Sequence, residues 1–213
     1  MRCMRGMMTA GVLLVLWVPP SVAGGPASVF CSVPTTIRLV GSRAATPDAA
    51  GAFTIIVRNQ VDIPISGASV ELDLSGCSDL SLCSDQLDPA ATVNCAAKTV
   101  SKIADIAGQV SFIVLGRSNG AGNATTLLHG AKIYANAWPI GWPTASCFDL
   151  DGSNGVGIND LSVWLADFGT PGNPPFGRSD FDGDGAVDIN DLSVWLGSFG
   201  AGGSSRGCAA SCP

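Results

Sequence analysis

Two twelve-residue stretches hold the side chains best suited to chemistry. Residues 149–160 read D-L-D-G-S-N-G-V-G-I-N-D, and residues 180–191 read D-F-D-G-D-G-A-V-D-I-N-D. Oxygen ligands at positions 1, 3, 5 and 12 of one loop, with a turn former at position 6, suit a hard cation wrapped by a single backbone segment. Calcium is the natural guest. In the second stretch Asp180, Asp182 and Asp184 fill positions 1, 3 and 5, and Gly185 turns the chain. Ala186 then offers a carbonyl at position 7, Asp188 a water-bridged carboxylate at 9, and Asp191 closes the loop. In the first stretch Asp149, Asp151 and Asp160 occupy positions 1, 3 and 12, Ser153 stands at 5, Asn154 at 6, Gly155 at 7 and Gly157 at 9. A polar turn that happens to be acidic accounts for one such match. Two in the same register, 31 residues apart, favour two Ca²⁺ ions, because carboxylates packed in one loop repel each other unless a cation offsets them.

Each loop runs into the same apolar segment, L-S-V-W-L. Leu161, Trp164, Leu165 and Phe168, and again Leu192, Trp195, Leu196 and Phe199, fall at i, i+3, i+4 and i+7. That spacing predicts a helix behind each loop, with this face and its tryptophan in a shared core. Gly169 and Gly200 are expected to end the helices in left-handed conformations, with Thr170-Pro171-Gly172-Asn173-Pro174-Pro175 as a stiff turn between. Val156 and Val187, at position 8 of each loop, are expected to pair as a short β-bridge.

A loop–helix unit repeated once, without the helix that precedes the loop in a full EF-hand, resembles the type I dockerins. The resemblance covers about residues 147–200. It implies two Ca²⁺ ions held by Asp149, Asp151, Ser153, Gly155 and Asp160, and by Asp180, Asp182, Asp184, Ala186 and Asp191. It also implies docking onto a cohesin-like domain in polysaccharide-degrading assemblies. The chain departs from that family's cohesin-reading pairs. Positions 10 and 11 are Ile158-Asn159 and Ile189-Asn190 rather than Ser-Thr-like, and positions 17 and 18 are Leu165-Ala166 and Leu196-Gly197 rather than basic. Ile158 and Ile189 are therefore open to two readings, apolar docking anchors or residues packed inside the module.

The N-terminus reads as an export signal over residues 1–23. Arg2 and Arg5 precede an apolar stretch from Met7 to Val18, and Ser21-Val22-Ala23 supplies small residues for cleavage. About a dozen apolar residues is short for a membrane span, and no later run is longer, so a secreted protein is expected. The formal charge is −6 and becomes −8 without Arg2 and Arg5. With no basic patch to neutralise phosphates, nucleic acid is excluded as a partner. Of eight cysteines Cys3 leaves with the signal, and the odd remainder leaves one thiol unpaired or intermolecular. A bridge within Cys77, Cys83 and Cys95 would staple a loose loop, and Cys147 meeting Cys208 or Cys212, in the 201–213 tail, would tie the ends of the acidic module.

Residues 28–140 read as all-β. Phe53, Ile55 and Val57, then Val70, Leu72 and Leu74, then Val110, Phe112 and Val114 alternate with their neighbours, and turns containing Asp62, Gly67 and Gly108 separate them. The runs P-I-S-G-A-S-V-E-L and A-D-I-A-G-Q-V-S-F resemble bacterial immunoglobulin-like or transthyretin-like surface domains. The expected fold is thus mainly β plus α, an immunoglobulin-like β-sandwich followed by a small helical EF-hand pair. Trp138 and Trp142 are read as packing at the joint between the two, with stacking on sugars as the alternative.

Catalytic groups are scarce. Glu71 is the single glutamate and His129 the single histidine. A glycosidase needs two carboxyls facing one sugar ring, and the aspartates of the β region sit mostly beside turns, where they serve their own backbone. Asn123-Ala124-Thr125 matches a glycosylation acceptor and is given no weight. The expectation is a secreted, non-catalytic calcium-binding protein with a docking module. The alternative is a calcium-stabilised extracellular surface or structural protein without a docking partner.

Overall fold

A computed structural model describes residues 24–120, 130–172 and 177–213. The signal-like stretch 1–23, Asn123-Ala124-Thr125, His129 and residues 173–175 of the linker lie outside the described residues. Within them the chain is mainly β with two α-helices. All three alternating runs form strands, Ala52–Ile56, Ser69–Asp73 and Gln109–Ile113. Ser69–Asp73 lies at the centre of a five-stranded sheet between Lys132–Ala135 and Thr99–Ile103, with Trp138–Gly141 and Thr92–Asn94 at its edges. Ala52–Ile56 pairs antiparallel with Gln109–Ile113. The alternation puts Ile55, Val70, Leu72, Val110 and Phe112 into one apolar cluster, while Thr54 and Ser111 meet on the outer side, hydroxyl to hydroxyl, at 2.9 Å.

A parallel pair that the alternation did not announce positions the first acidic loop. Thr36–Leu39 pairs with Thr144–Cys147, so the β layer delivers the chain directly to Asp149. The apolar core crosses this junction. Phe148, Leu150, Val156, Trp164, Phe181, Val187 and Trp195 belong to the same cluster as Ile37, Leu39 and Leu72. The Trp195 indole N–H donates to the Phe148 carbonyl (3.3 Å), and the Phe148 and Phe181 rings pack 5.1 Å apart. Trp138 and Trp142, expected at this joint, are exposed instead.

The helices are α1 (Ile158–Asp167) and α2 (Ile189–Gly200). Trp164 and Trp195 are buried as expected and Leu161 and Leu192 are half-buried against the same core, but the far end of the predicted face is open. Leu165, Phe168, Leu196 and Phe199 are all exposed, with Phe168 resting on Trp164 and Phe199 on Trp195. The stripe is wider than the contact it makes: the tryptophans are enclosed, Leu161, Val163, Leu192 and Val194 pack partly against the core, and Ser198 of α2 donates to Asp48 (2.6 Å). Gly169 takes a left-handed conformation as expected. Gly200 remains helical, and Gly202, at φ 90°, makes that turn instead.

The cysteine pairing also differs from expectation. Cys83 bonds to Cys208 and Cys95 to Cys212, leaving Cys31, Cys77 and Cys147 unbridged. Backbone pairing decides this. The Ser84 N–H donates to the Ala210 carbonyl (2.9 Å) and the Cys212 N–H to that of Leu82 (2.8 Å), so the tail lies along the segment that carries Cys83. Cys147 is enclosed in the core, where burial pushes its thiol well above the usual range. Burial likewise pushes the Cys77 thiol up to about 12.

Candidate metal centres

A helix start leaves four backbone N–H groups without intrahelical partners and carries partial positive charge. In both loops the position-12 aspartate exploits this. Asp160 Oδ2 accepts from the Gly157 N–H (2.6 Å), while Oδ1 accepts from Leu150 (2.6 Å) and Asp151 (2.9 Å). Asp191 repeats the arrangement with Asp188 (2.8 Å), Phe181 (2.6 Å) and Asp182 (3.0 Å). One buried carboxylate thus starts the helix and closes the loop.

Inside the first loop Asp149 Oδ2 accepts from the N–H groups of Asn154 (2.8 Å) and Gly155 (3.1 Å), and Asp151 from that of Ser153 (2.8 Å). Asp149 Oδ1 is buried and accepts nothing. Carboxylate oxygens of Asp149, Asp151 and Asp160 lie within 4.8 Å of one another. In the second loop Asp180 accepts from Gly183 (2.7 Å) and Gly185 (3.1 Å), Asp182 from Asp184 (3.1 Å), and Asp184 from Ala186 (2.9 Å). The trio within 4.8 Å is here Asp180, Asp182 and Asp184. Gly185 has φ 93°, a region open to glycine at little cost. Asp188 caps α2, accepting from the Asn190 N–H (2.7 Å). Ser153 is exposed at position 5, and at position 7 Gly155 is buried and Ala186 half-buried.

These acids resist ionising together. Burial, then the charges of Asp160 and Asp151, push Asp149 up to about 7. Burial pushes Asp160 up to about 6, and Asp180 also to about 6 with help from Asp191 and Asp182. Burial raises Asp191 as well. Asp151 runs the other way: burial opposes its charge, but hydrogen bonds from Ser153 outweigh it and hold it low. Clustered, partly desolvated carboxylates of this kind are relieved by a divalent cation. The all-oxygen donor set and the unpartnered Asp149 Oδ1 fit a hard one.

The two loops do not pair with each other. The Val156 N–H donates to the Gly203 carbonyl in the tail (2.9 Å). The Val187 N–H donates to Thr170 (3.0 Å), and its carbonyl accepts from Gly169 (2.9 Å). Each loop bonds to a separate partner, which uses backbone groups a Val156–Val187 bridge would need. Three further supports of the first loop left no sequence signal, because their partners are remote. Arg117 Nη1 donates to the Gly152 carbonyl (2.6 Å), the Ser118 N–H to that of Asp149 (3.0 Å), and the Asn154 amide pairs with Cys208. In the β region Asp73, Asp85, Asp88 and Asp105 accept backbone N–H groups two residues on. Asp79 differs, being fully buried with neither carboxylate oxygen hydrogen-bonded, and burial raises its pKa.

Comparison with protein-family models, with curated proteins and with solved structures finds no match to this chain.

Proposed function

We propose that the protein is an exported, non-catalytic calcium-binding protein, with a dockerin-like module at residues 147–200 that loads two Ca²⁺ ions and docks onto a cohesin-like domain. Asp149, Asp151, Ser153, Gly155 and Asp160 hold the first ion; Asp180, Asp182, Asp184, Ala186 and Asp191 hold the second, with Asp188 beside it. An immunoglobulin-like sandwich over residues 28–140 serves as scaffold, and polysaccharide-degrading assemblies are the setting the resemblance implies. The observation that carries this reading is the repetition itself. Two loops in one register each gather three carboxylates within 4.8 Å, and each starts a helix whose first residue is a bare isoleucine. Ile158 is 66% exposed and Ile189 61%, which counts against the packed reading of those residues. Two disulfides fit an oxidising compartment, and no helix among the described residues is long and apolar enough to cross a membrane.

A second reading also has an observation behind it. The tail and two disulfides bind the acidic module to the β layer, as expected of calcium loops that only stiffen an extracellular structural protein. Binding of the oxidised full chain to a panel of cohesin domains, with Ca²⁺ and with chelator, separates the two. The docking reading expects calcium-dependent binding that survives Ile158→Asp or Ile189→Asp singly, because either repeat serves, and is lost in the double variant. Calcium-dependent stabilisation with no cohesin bound at any concentration supports the structural role.

A further inference from the structure

We infer that the disulfide Cys83–Cys208, acting through Asn154, sets the cation affinity of the first loop and leaves the second untouched. This rests on the calcium reading above. Position 6 of the second loop is Gly185, whereas the first has Asn154 in the same left-handed conformation, φ 72°. The asparagine is held there by its side chain. Its Oδ1 accepts from the Cys208 N–H (2.7 Å), and its Nδ2 donates to the Cys208 carbonyl (3.0 Å), so the amide reads the tail as a neighbouring strand would. Next to this pair the Val156 N–H bonds to Gly203, and a Cβ on Gly155 would lie 2.9 Å from the Ser204 carbonyl oxygen. Asn154 and Gly155 in turn give their N–H groups to Asp149. The tail therefore fixes the backbone that fixes the first ligand.

What fixes the tail is the β layer. Gly207 exchanges backbone bonds with Ser42 (3.1 and 3.0 Å), and the next residue is bridged to Cys83. Cys95–Cys212 secures only the far end, four residues beyond the contact with Asn154. The second loop leans instead on residues 169–172, which precede it in the chain, and on Arg38 of the β layer, which donates to the Phe181 carbonyl; its backbone bonds run to no half-cystine. Closing the bridge takes two electrons and two protons from the Cys83 and Cys208 thiols. An external disulfide accepts them and leaves as two thiols, so the first loop gains its affinity only after oxidation.

The test is Ca²⁺ titration calorimetry on the oxidised full chain, with Asp151→Ala and Asp182→Ala assigning the two binding events. Cys83→Ser/Cys208→Ser should weaken the first site about tenfold and leave the second within about twofold. Asn154→Gly, which keeps both disulfides and suits the left-handed turn better, should also weaken the first site, by about fivefold. Loop geometry alone predicts equal or tighter binding for that variant, so unchanged or improved affinity overturns the inference. Equal weakening of both sites by Cys83→Ser/Cys208→Ser, or none at the first, overturns it too. If the serine variant fails to fold, Asn154→Gly decides alone. Absence of saturable Ca²⁺ binding in the unaltered oxidised chain is a separate outcome, which removes the calcium reading and this inference with it.

Discussion

Val156 of the first acidic loop bonds to Gly203 in the tail, whereas its counterpart Val187 in the second bonds to Thr170 in the linker just before it. The same split runs through both loops. The second carries aspartates at positions 1, 3, 5 and 9, a glycine at the turn, and a partner strand supplied by its own neighbourhood. The first lacks a carboxylate at 5 and at 9 and has asparagine at the turn, yet it is gripped by Arg117, Ser118, Cys208 and Gly203 from elsewhere in the chain. The loop richer in carboxylates takes most of its backbone support from its own neighbourhood, with Arg38 at the Phe181 carbonyl as a remote side-chain support. A loop poor in carboxylates can be held by remote chain, at the cost of depending on that chain. Duplication kept the register of the two units and let their supports diverge.

The largest effect that can sharpen this contrast comes from position 12. Asp160→Ala and Asp191→Ala each remove a buried carboxylate that accepts three backbone N–H groups. Each should cost about 3–5 kcal/mol, since bonds to a charged acceptor are lost and buried donors are stranded. Denaturant unfolding of the calcium-loaded chain measures it. Asp160→Ala should be the milder of the two, because the tail still holds its loop. Losses below about 1 kcal/mol for either variant would break the view that these residues close the loops.

Smaller, and more selective, is the difference at position 3. More anionic ligands raise Ca²⁺ affinity, so the second site should be the tighter one. Asp182→Ala should then reduce the calcium-dependent rise in Tm more than Asp151→Ala does. The expected gap is about 1 kcal/mol, or roughly 2–4 °C for a chain of this size. Calorimetry that assigns the tighter event to residues 149–160 would reverse the comparison and imply that preorganisation by the tail outweighs ligand charge.

How much of this could be read in the sequence depended on how far apart the interacting residues lie. The clustering of carboxylates within each loop, the helix positions and the three alternating strands are governed by neighbours within a turn or a strand, and each was legible. Pairing of Thr36–Leu39 with Thr144–Cys147 was not, because a parallel register joins segments with no turn between them to betray it. The disulfides misled for the same reason. Cys77, Cys83 and Cys95 are close in sequence, but the bonds follow a tail more than a hundred residues on. Periodicity marked the apolar stripe on α1 and α2 and had no means of saying that Leu165, Phe168, Leu196 and Phe199 stay uncovered. Asn154, which stands where the second loop has glycine, bonds through its side chain to Cys208, a partner more than fifty residues on.

The smallest expected effect is one of pH, and it distinguishes the loops by where they titrate. Asp149 is held at about 7 and Asp180 at about 6 in the fold, against about 3.9 in an unfolded chain. A folded-state pKa raised above the unfolded value means that the protonated acid is the form the fold favours. Its stabilisation is complete below the unfolded value and is lost as pH rises through the folded one. In chelator, Tm should therefore fall between roughly pH 4 and pH 7, and the gain on adding Ca²⁺ should grow over the same interval as the ion replaces the lost protons. Asp180→Asn should flatten the decline only below about pH 6, whereas Asp149→Asn should flatten it up to about pH 7, because each acid contributes from its unfolded value up to its own folded one. A metal-free Tm that stays level or rises across the interval would show that these carboxylates are not desolvated as described. Identical profiles for the two asparagine variants would erase the difference in burial on which the separation of the loops depends.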